Sequence, residues 1–244
     1  MASARATSYD LSVNPRPRVM SSLVGTEREP VLLVDGLLND PAALIDYATW
    51  EVAFTPAGNP EGGYPGVRAP APLNYVEAVV RALSPIIERA FGLKKVVLSN
   101  AECNFSLTTT PPAQLTVQQR TPHIDTVYPL QFAMLHYLCA PDFGGTSFYR
   151  HKATGYETLD EARAATYDAI RARELAEEAP PQRYVGDDTG HYARIGGCDA
   201  QLNRMAIYRS CLLHSGHIRD DKPLVASPRN GRLTANIFVN YRQC

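Results

Sequence analysis

The chain has 244 residues, 45% of them hydrophobic and 20% charged, with 24 Lys and Arg against 25 Asp and Glu. Such a composition excludes a disordered chain or a coiled-coil rod, and the balanced charge leaves no basic face for a nucleic-acid backbone. Five scattered cysteines form no CxxC pair, which argues against zinc ribbons and dithiol redox motifs.

Dispersed thiols suit a reducing compartment. The first twenty residues hold no apolar signal-like stretch, and no run reaches membrane-spanning length. A cytoplasmic protein with no membrane partner is the expectation.

In chain order, the first thirty or so residues are polar and proline-containing, and read as a loose lead-in. Pro30 to Asp35 (PVLLVD) is an apolar run of strand length. Asp40 before Pro41 signals a helix start: the Asp side chain accepts from free amides, and Pro loses no useful N–H there. That helix should run from 42 to about 50. The Gly- and Pro-rich stretch 55–72 reads as loop. A second helix, 74–90, places Val76, Val79, Val80, Leu83, Ile86 and Ile87 on one face, with Pro85 expected to kink it.

From residue 95 the pattern changes to short strands, expected at 96–107, 114–118, 130–139, 146–151, 191–195, 203–213 and 233–241. One further helix lies between 156 and 178. Helices followed by a run of strands predict a mainly β fold with flanking helices, a sandwich or jelly roll. The chain reads as one unit over 1–244, with a lead-in and helical flank (1–94) and a β core (95–244).

His123-Ile124-Asp125 is the one His-x-Asp triplet. In extended backbone, residues i and i+2 project from the same side, so the imidazole and the carboxylate converge. A second histidine from a distant strand would complete a two-histidine, one-carboxylate face that leaves positions open on Fe(II). His214 is the best candidate and His217 its rival, while His136 lies mid-strand and suits the core or a supporting position. In the last strand Leu233, Ala235, Ile237 and Val239 alternate with Arg232, Thr234, Asn236, Phe238 and Asn240. Arg232 and Thr234 would aim a planar fork and a hydroxyl at one carboxylate.

Several short segments, taken together and in this order, resemble the 2-oxoglutarate/Fe(II)-dependent dioxygenases, in particular a bacterial group of the prolyl-hydroxylase-like branch. They are Pro122–Asp125, Met134–Leu138, Asp142–Phe148 with its Gly144-Gly145 pair, Leu213-His214 and Arg232–Thr234. The strand at 31–35 with its following helix resembles that branch's lead-in. The resemblance implies a double-stranded β-helix (jelly roll) with Fe(II) held by His123, Asp125 and His214. It implies that Arg232, assisted by Thr234, binds the distal carboxylate of 2-oxoglutarate, with Tyr137 and Asn203 as further cosubstrate-binding candidates. The long offset of 18 positions from His214 to Arg232 leaves Arg229 as an alternative anchor. Asp125 stands where halogenating relatives carry a small residue, so hydroxylation with dioxygen is the implied reaction, on a small molecule or a peptide side chain.

Two other readings stay open on sequence. One is a cupin-like metalloprotein without 2-oxoglutarate, which would have no use for an inward Arg232–Thr234 pair. The other is a β-sandwich binding module in which the His-x-Asp is accidental. Gly144-Gly145 reads as a tight hairpin. Segments 55–72, 108–119 and 153–188 are the expected contributors to substrate specificity.

Overall fold

The computed structural model describes residues 8–59, 62–219 and 221–244. The first seven residues of the lead-in, and residues 60 and 61 of the segment read as loop, lie outside them.

Strands β1 (Arg18–Val24) and β2 (Glu29–Asp35) form a hairpin, followed by helix α1 (Pro41–Trp50). Asp40 caps α1 by accepting from the amides of Ala42 and Ala43, with Pro41 in the first turn, as the sequence predicts. A second hairpin, β3 (Thr55–Asn59) and β4 (Gly62–Pro70), leads into α2 (Leu73–Ala90), which continues through Pro85. Then come β5 (Val96–Thr108), β6 (Gln131–Tyr137), β7 (Gly144–His151), α3 (Glu161–Glu177), β8 (Tyr192–Asp199), β9 (Arg204–Arg209), β10 (His214–Ile218) and β11 (Arg232–Gln243).

Among the described residues these strands make two antiparallel sheets: an eight-stranded one ordered β1-β2-β9-β6-β11-β5-β4-β3 and a three-stranded one ordered β10-β7-β8. They face each other through Ala133, Phe148, Tyr208 and Leu212, with the Phe148 and Tyr208 rings edge to face at 5.0 Å. This is the mainly β, double-stranded β-helix architecture expected. The far side of the large sheet is covered by α1 and α2. Val76, Val79, Val80, Leu83 and Ile87 pack there against Phe105, Met134, Ile207 and Ile237, each large apolar side chain contributing about 1.5–3 kcal/mol by burial.

Five local expectations are corrected. The lead-in is not loose: Arg18–Val24 is a strand, because it pairs along its whole length with β2. The 55–72 segment is not loop but the β3–β4 hairpin, since β4 adds to β5 at the sheet edge from Gly66 to Pro70. Residues before 95 thus supply four strands of the large sheet, not only helices. The strand expected at 114–118 is absent. Pro111 and Pro112 offer no N–H to a ladder, and the Gln119 side chain takes the Thr116 amide instead.

The run 203–213 is likewise not one strand. The chain leaves β9 after Arg209, turns, and re-enters the small sheet as β10. Gly144-Gly145 is not a hairpin turn either, because β6 and β7 lie in different sheets. The pair opens β7, where a Cβ on Gly145 would stand 2.0 Å from the Cys198 carbonyl oxygen. Only glycine permits that approach of β7 to β8.

Candidate metal centre

The turn after Arg209 determines how the site is assembled. The Asp125 amide donates to the Ser210 carbonyl, and the backbones of His123 and His214 exchange hydrogen bonds of 2.9 and 2.8 Å. The His-x-Asp segment is thereby clamped against the start of β10. One donor atom each from His123, Asp125 and His214 lies within 4.8 Å of the others, and the three form the metal-capable cluster found among the described residues. His214 Nε2 stands 3.7 Å from Asp125 Oδ2. Donors sharing one metal at about 2.1 Å lie about 3–4 Å apart, so the side chains present fit a metal ion.

The histidine tautomers suit the role. His214 Nδ1–H donates to the Leu212 carbonyl at 2.8 Å, leaving the Nε2 lone pair toward Asp125. A hydrogen bond with the Thr121 backbone likewise occupies the His123 ring. The His123 ring has an edge open to the cavity, yet the protein packed around it pushes its pKa down to about 4. The nearby His214 adds to this and the Asp125 carboxylate opposes it. This downward shift favours the neutral imidazole, the form that binds a metal.

His217 does not belong to the cluster. Strand alternation in β10 turns it away from His214, and its ring approaches Ser147 at 3.4 Å. His136 is buried between the Tyr75 hydroxyl (3.0 Å) and Asn203 (3.1 Å), in the core as one reading had it.

The triad opens into a cavity of about 390 Å³ lined from both sheets, within the range of small-molecule sites. The polar face of β11 forms its floor: Arg232, Thr234, Asn236 and Phe238 line it, while Leu233, Ala235, Ile237 and Val239 enter the core on the far side. Arg232 is 3% exposed. It donates to the Gly145 carbonyl at 2.8 Å and reaches Thr108 at 3.5 Å, while its Nε has no partner. No carboxylate of the described residues pairs with it. The buried Asn236 Oδ1 is also unpartnered.

Arg229, the alternative anchor, is elsewhere. It pairs with Asp46 of α1 at 2.6 Å and lies over Trp50. Tyr137 and Asn203 do not line the cavity. The Tyr137 hydroxyl is tied to Thr146 at 2.6 Å behind the wall. Asn203, in left-handed backbone (φ 65), brackets Leu38 through both its amide N–H and its carbonyl, at 2.9 Å each. Its side chain ties the segment before α1 to the start of β9, so no carboxamide is left over for a ligand.

A family model matches residues 15–239. The chain belongs to the family of unknown function DUF6445. No curated protein sequence matches it. The solved structures it resembles include 2-oxoglutarate/Fe(II) oxygenases, the resemblance expected from the sequence.

One is the non-heme alpha-ketoglutarate-dependent epimerase SnoN from nogalamycin biosynthesis, at 10% identity and TM-score 0.48, over 89% of this chain and 80% of that one. Another is HygX from Streptomyces hygroscopicus with nickel, 2-oxoglutarate and hygromycin B bound, at 12% and 0.45, over 86% and 82%. A third is an N-substituted L-amino acid dioxygenase from Burkholderia ambifaria, at 12% and 0.41, over 92% and 93%.

The three segments expected to surround the mouth do so: Tyr64 and Arg68 from β4, Gln118 and Gln119 from the turn before the triad, and Tyr184 from the α3 insertion. Sequence reading did not single out Tyr64, Arg68 or Tyr208. The signal for the first two was the alternation Tyr64, Gly66, Arg68, hidden in a stretch whose prolines and glycines read as loop. Tyr208 alternates with Ala206 on β9 and puts its ring edge on His214 at 4.9 Å.

Proposed function

We propose that this protein is an Fe(II)- and 2-oxoglutarate-dependent oxygenase that hydroxylates a small molecule. The observation that carries the reading is Arg232: a buried guanidinium with no acidic partner among the described residues, on the same cavity as two histidines and a carboxylate. A buried cation left alone is costly, and an anionic ligand reaching from the metal to Arg232 would complete it. Two histidines and one carboxylate suit Fe(II) with open positions. A cupin-like metal site would leave Arg232 without a purpose, and a plain binding module would not need the triad.

In this reading His123, Asp125 and His214 hold the metal. Arg232 receives the distal carboxylate of 2-oxoglutarate as a two-pronged donor, with the Thr234 hydroxyl beside it. Fe(II) with 2-oxoglutarate and dioxygen supplies oxidative decarboxylation coupled to hydroxylation of the substrate. The protein orients the reactants and shields them from water, with Phe238, Leu135 and Ile218 as apolar wall. Asp125 would fill the coordination position that a halide would otherwise take. The five free cysteines fit a cytoplasmic setting.

The test is anaerobic titration of the protein with Fe(II) and 2-oxoglutarate, followed by the visible charge-transfer band of the chelate, then by succinate formation under air. Wild-type protein should show both. A protein that binds Fe(II) firmly but produces neither signal would return the cupin-like reading.

A further inference from the structure

Arg68 is the second cation of the cavity, and the metal centre leaves it without a task. It stands on β4 opposite Ser106, which in turn stands opposite Thr234 of β11. In the neighbouring row Thr108 stands opposite both Gly66 and Arg232. Arg68 and Arg232 therefore project from the same face of the large sheet, two strands or about 10 Å apart laterally. Arg232 is at the floor; Arg68 is half-buried toward the edge hairpin.

The Arg68 side chain is held in place but not neutralised. Its Nε donates to Ser106 Oγ at 3.2 Å, and its guanidinium lies 4.9 Å from the centre of the Tyr64 ring. These contacts fix the plane of the fork. Among the described residues, no hydrogen bond or ion pair engages its two terminal nitrogens. The nearby glutamines carry no charge: Gln118 accepts from Arg171 through its carbonyl, and Gln119 is spent on Thr116 and Gly63.

Charge decides what belongs there. Asp125 is the one acidic residue among those lining the cavity, against Arg68 and Arg232. A divalent metal, Asp125, Arg232 and a doubly charged 2-oxoglutarate cancel. Arg68 then remains as a single uncompensated positive charge beside the space left for substrate. We propose that Arg68 is the substrate-recognising residue and that the substrate is a small molecule bearing a carboxylate, gripped through both oxygens by the two terminal nitrogens. This inference rests on the oxygenase reading above. A single charge with one free fork matches a carboxylate better than a phosphate dianion, which would call for a second cation.

The experiment uses the full chain loaded with Mn(II) and 2-oxoglutarate. The probes are two carboxylates, phenylacetate and hippurate, and their neutral counterparts phenylacetamide and hippuramide, titrated by nuclear relaxation. The carboxylates should bind at least about tenfold more tightly than the amides, the size of one charge-assisted contact. Arg68→Gln should abolish that preference, leaving 2-oxoglutarate affinity within about twofold of wild type, and Arg68→Lys should retain part of it.

Three results would overturn the assignment: no carboxylate binds, Arg68→Gln keeps the preference, or Arg68→Gln weakens 2-oxoglutarate as strongly as the loss of Arg232. Wild-type protein that takes Mn(II) but no 2-oxoglutarate overturns the oxygenase reading instead. The same titration without cosubstrate, wild type against Arg68→Gln, then judges Arg68 alone.

Discussion

His123 and His214 stand directly opposite each other in an isolated antiparallel bridge, exchanging both backbone hydrogen bonds with their rings 4.6 Å apart. Ninety-one positions apart in sequence, they are brought together by these backbone hydrogen bonds. The ligand set is consequently pre-organised, and the loss of a ligand should affect metal binding far more than folding.

Asp125→Ala and His214→Ala should each raise the Fe(II) dissociation constant by more than the roughly 10–100-fold that follows loss of an outer-sphere partner. Thermal melts of the metal-free variants should stay close to wild type. Full iron occupancy in both variants, measured after desalting, would remove these residues from the centre.

Arg232→Ala should weaken 2-oxoglutarate binding at least about thirtyfold, from about 2–5 kcal/mol lost with a desolvated charged partner. Arg229→Ala should leave it unchanged, since Arg229 is occupied with Asp46 on α1. Calorimetric titration of both variants compares them directly, and the opposite ranking would relocate the anchor.

His136 gives the fold a pH dependence. Burial pushes its pKa down to about 4, with the Asn203 contact only partly opposing this. An unfolded histidine takes up a proton near pH 6.5, which the folded protein refuses until about pH 4. Stability is thus fully present above pH 6.5 and falls as the pH drops toward 4, on the order of 3 kcal/mol from this residue. His136→Gln, which retains a donor and an acceptor, should flatten the urea-derived stability profile in that window by up to about 1.4 kcal/mol per pH unit. An unchanged slope would contradict the assignment.

Glu157 ties the β1–β2 turn to the segment before α3. Its fully buried carboxylate accepts from the Thr26 amide and hydroxyl at 3.0 Å and from the Glu27 amide at 2.8 Å. Glu157→Gln sets an NH2 group against N–H donors, which should cost about 1–3 kcal/mol. A urea midpoint equal to wild type would show that this clamp contributes nothing.

How much of the site was legible depends on how local its cause was. The two faces of β11 follow from a period of two in one short segment, so Arg232, Thr234 and the alternating core residues could be read directly. The Asp40–Pro41 start of α1 and the apolar face of α2 are equally local, and both are seen. Arg68 was missed because β4 carries Gly62, Gly63, Pro65 and Gly66 and becomes a strand only by adding to β5. The resemblance offers Asn203 as a further cosubstrate-binding candidate, but in left-handed backbone its side chain is committed to Leu38.

Sequence alone therefore determined the class of fold, the His-x-Asp pair and the polar face of the last strand, because short-range periodicity and side-chain chemistry suffice for those. Tertiary structure alone brings His214 rather than His217 beside His123 and Asp125, and places Arg232 rather than Arg229 on the cavity. Each choice rests on which side of a backbone the residue leaves, and on where the chain crosses from one sheet to the other. That crossing is set by hydrogen bonds between segments far apart in sequence, such as Asp125 with Ser210 and His123 with His214, and no local pattern encodes it.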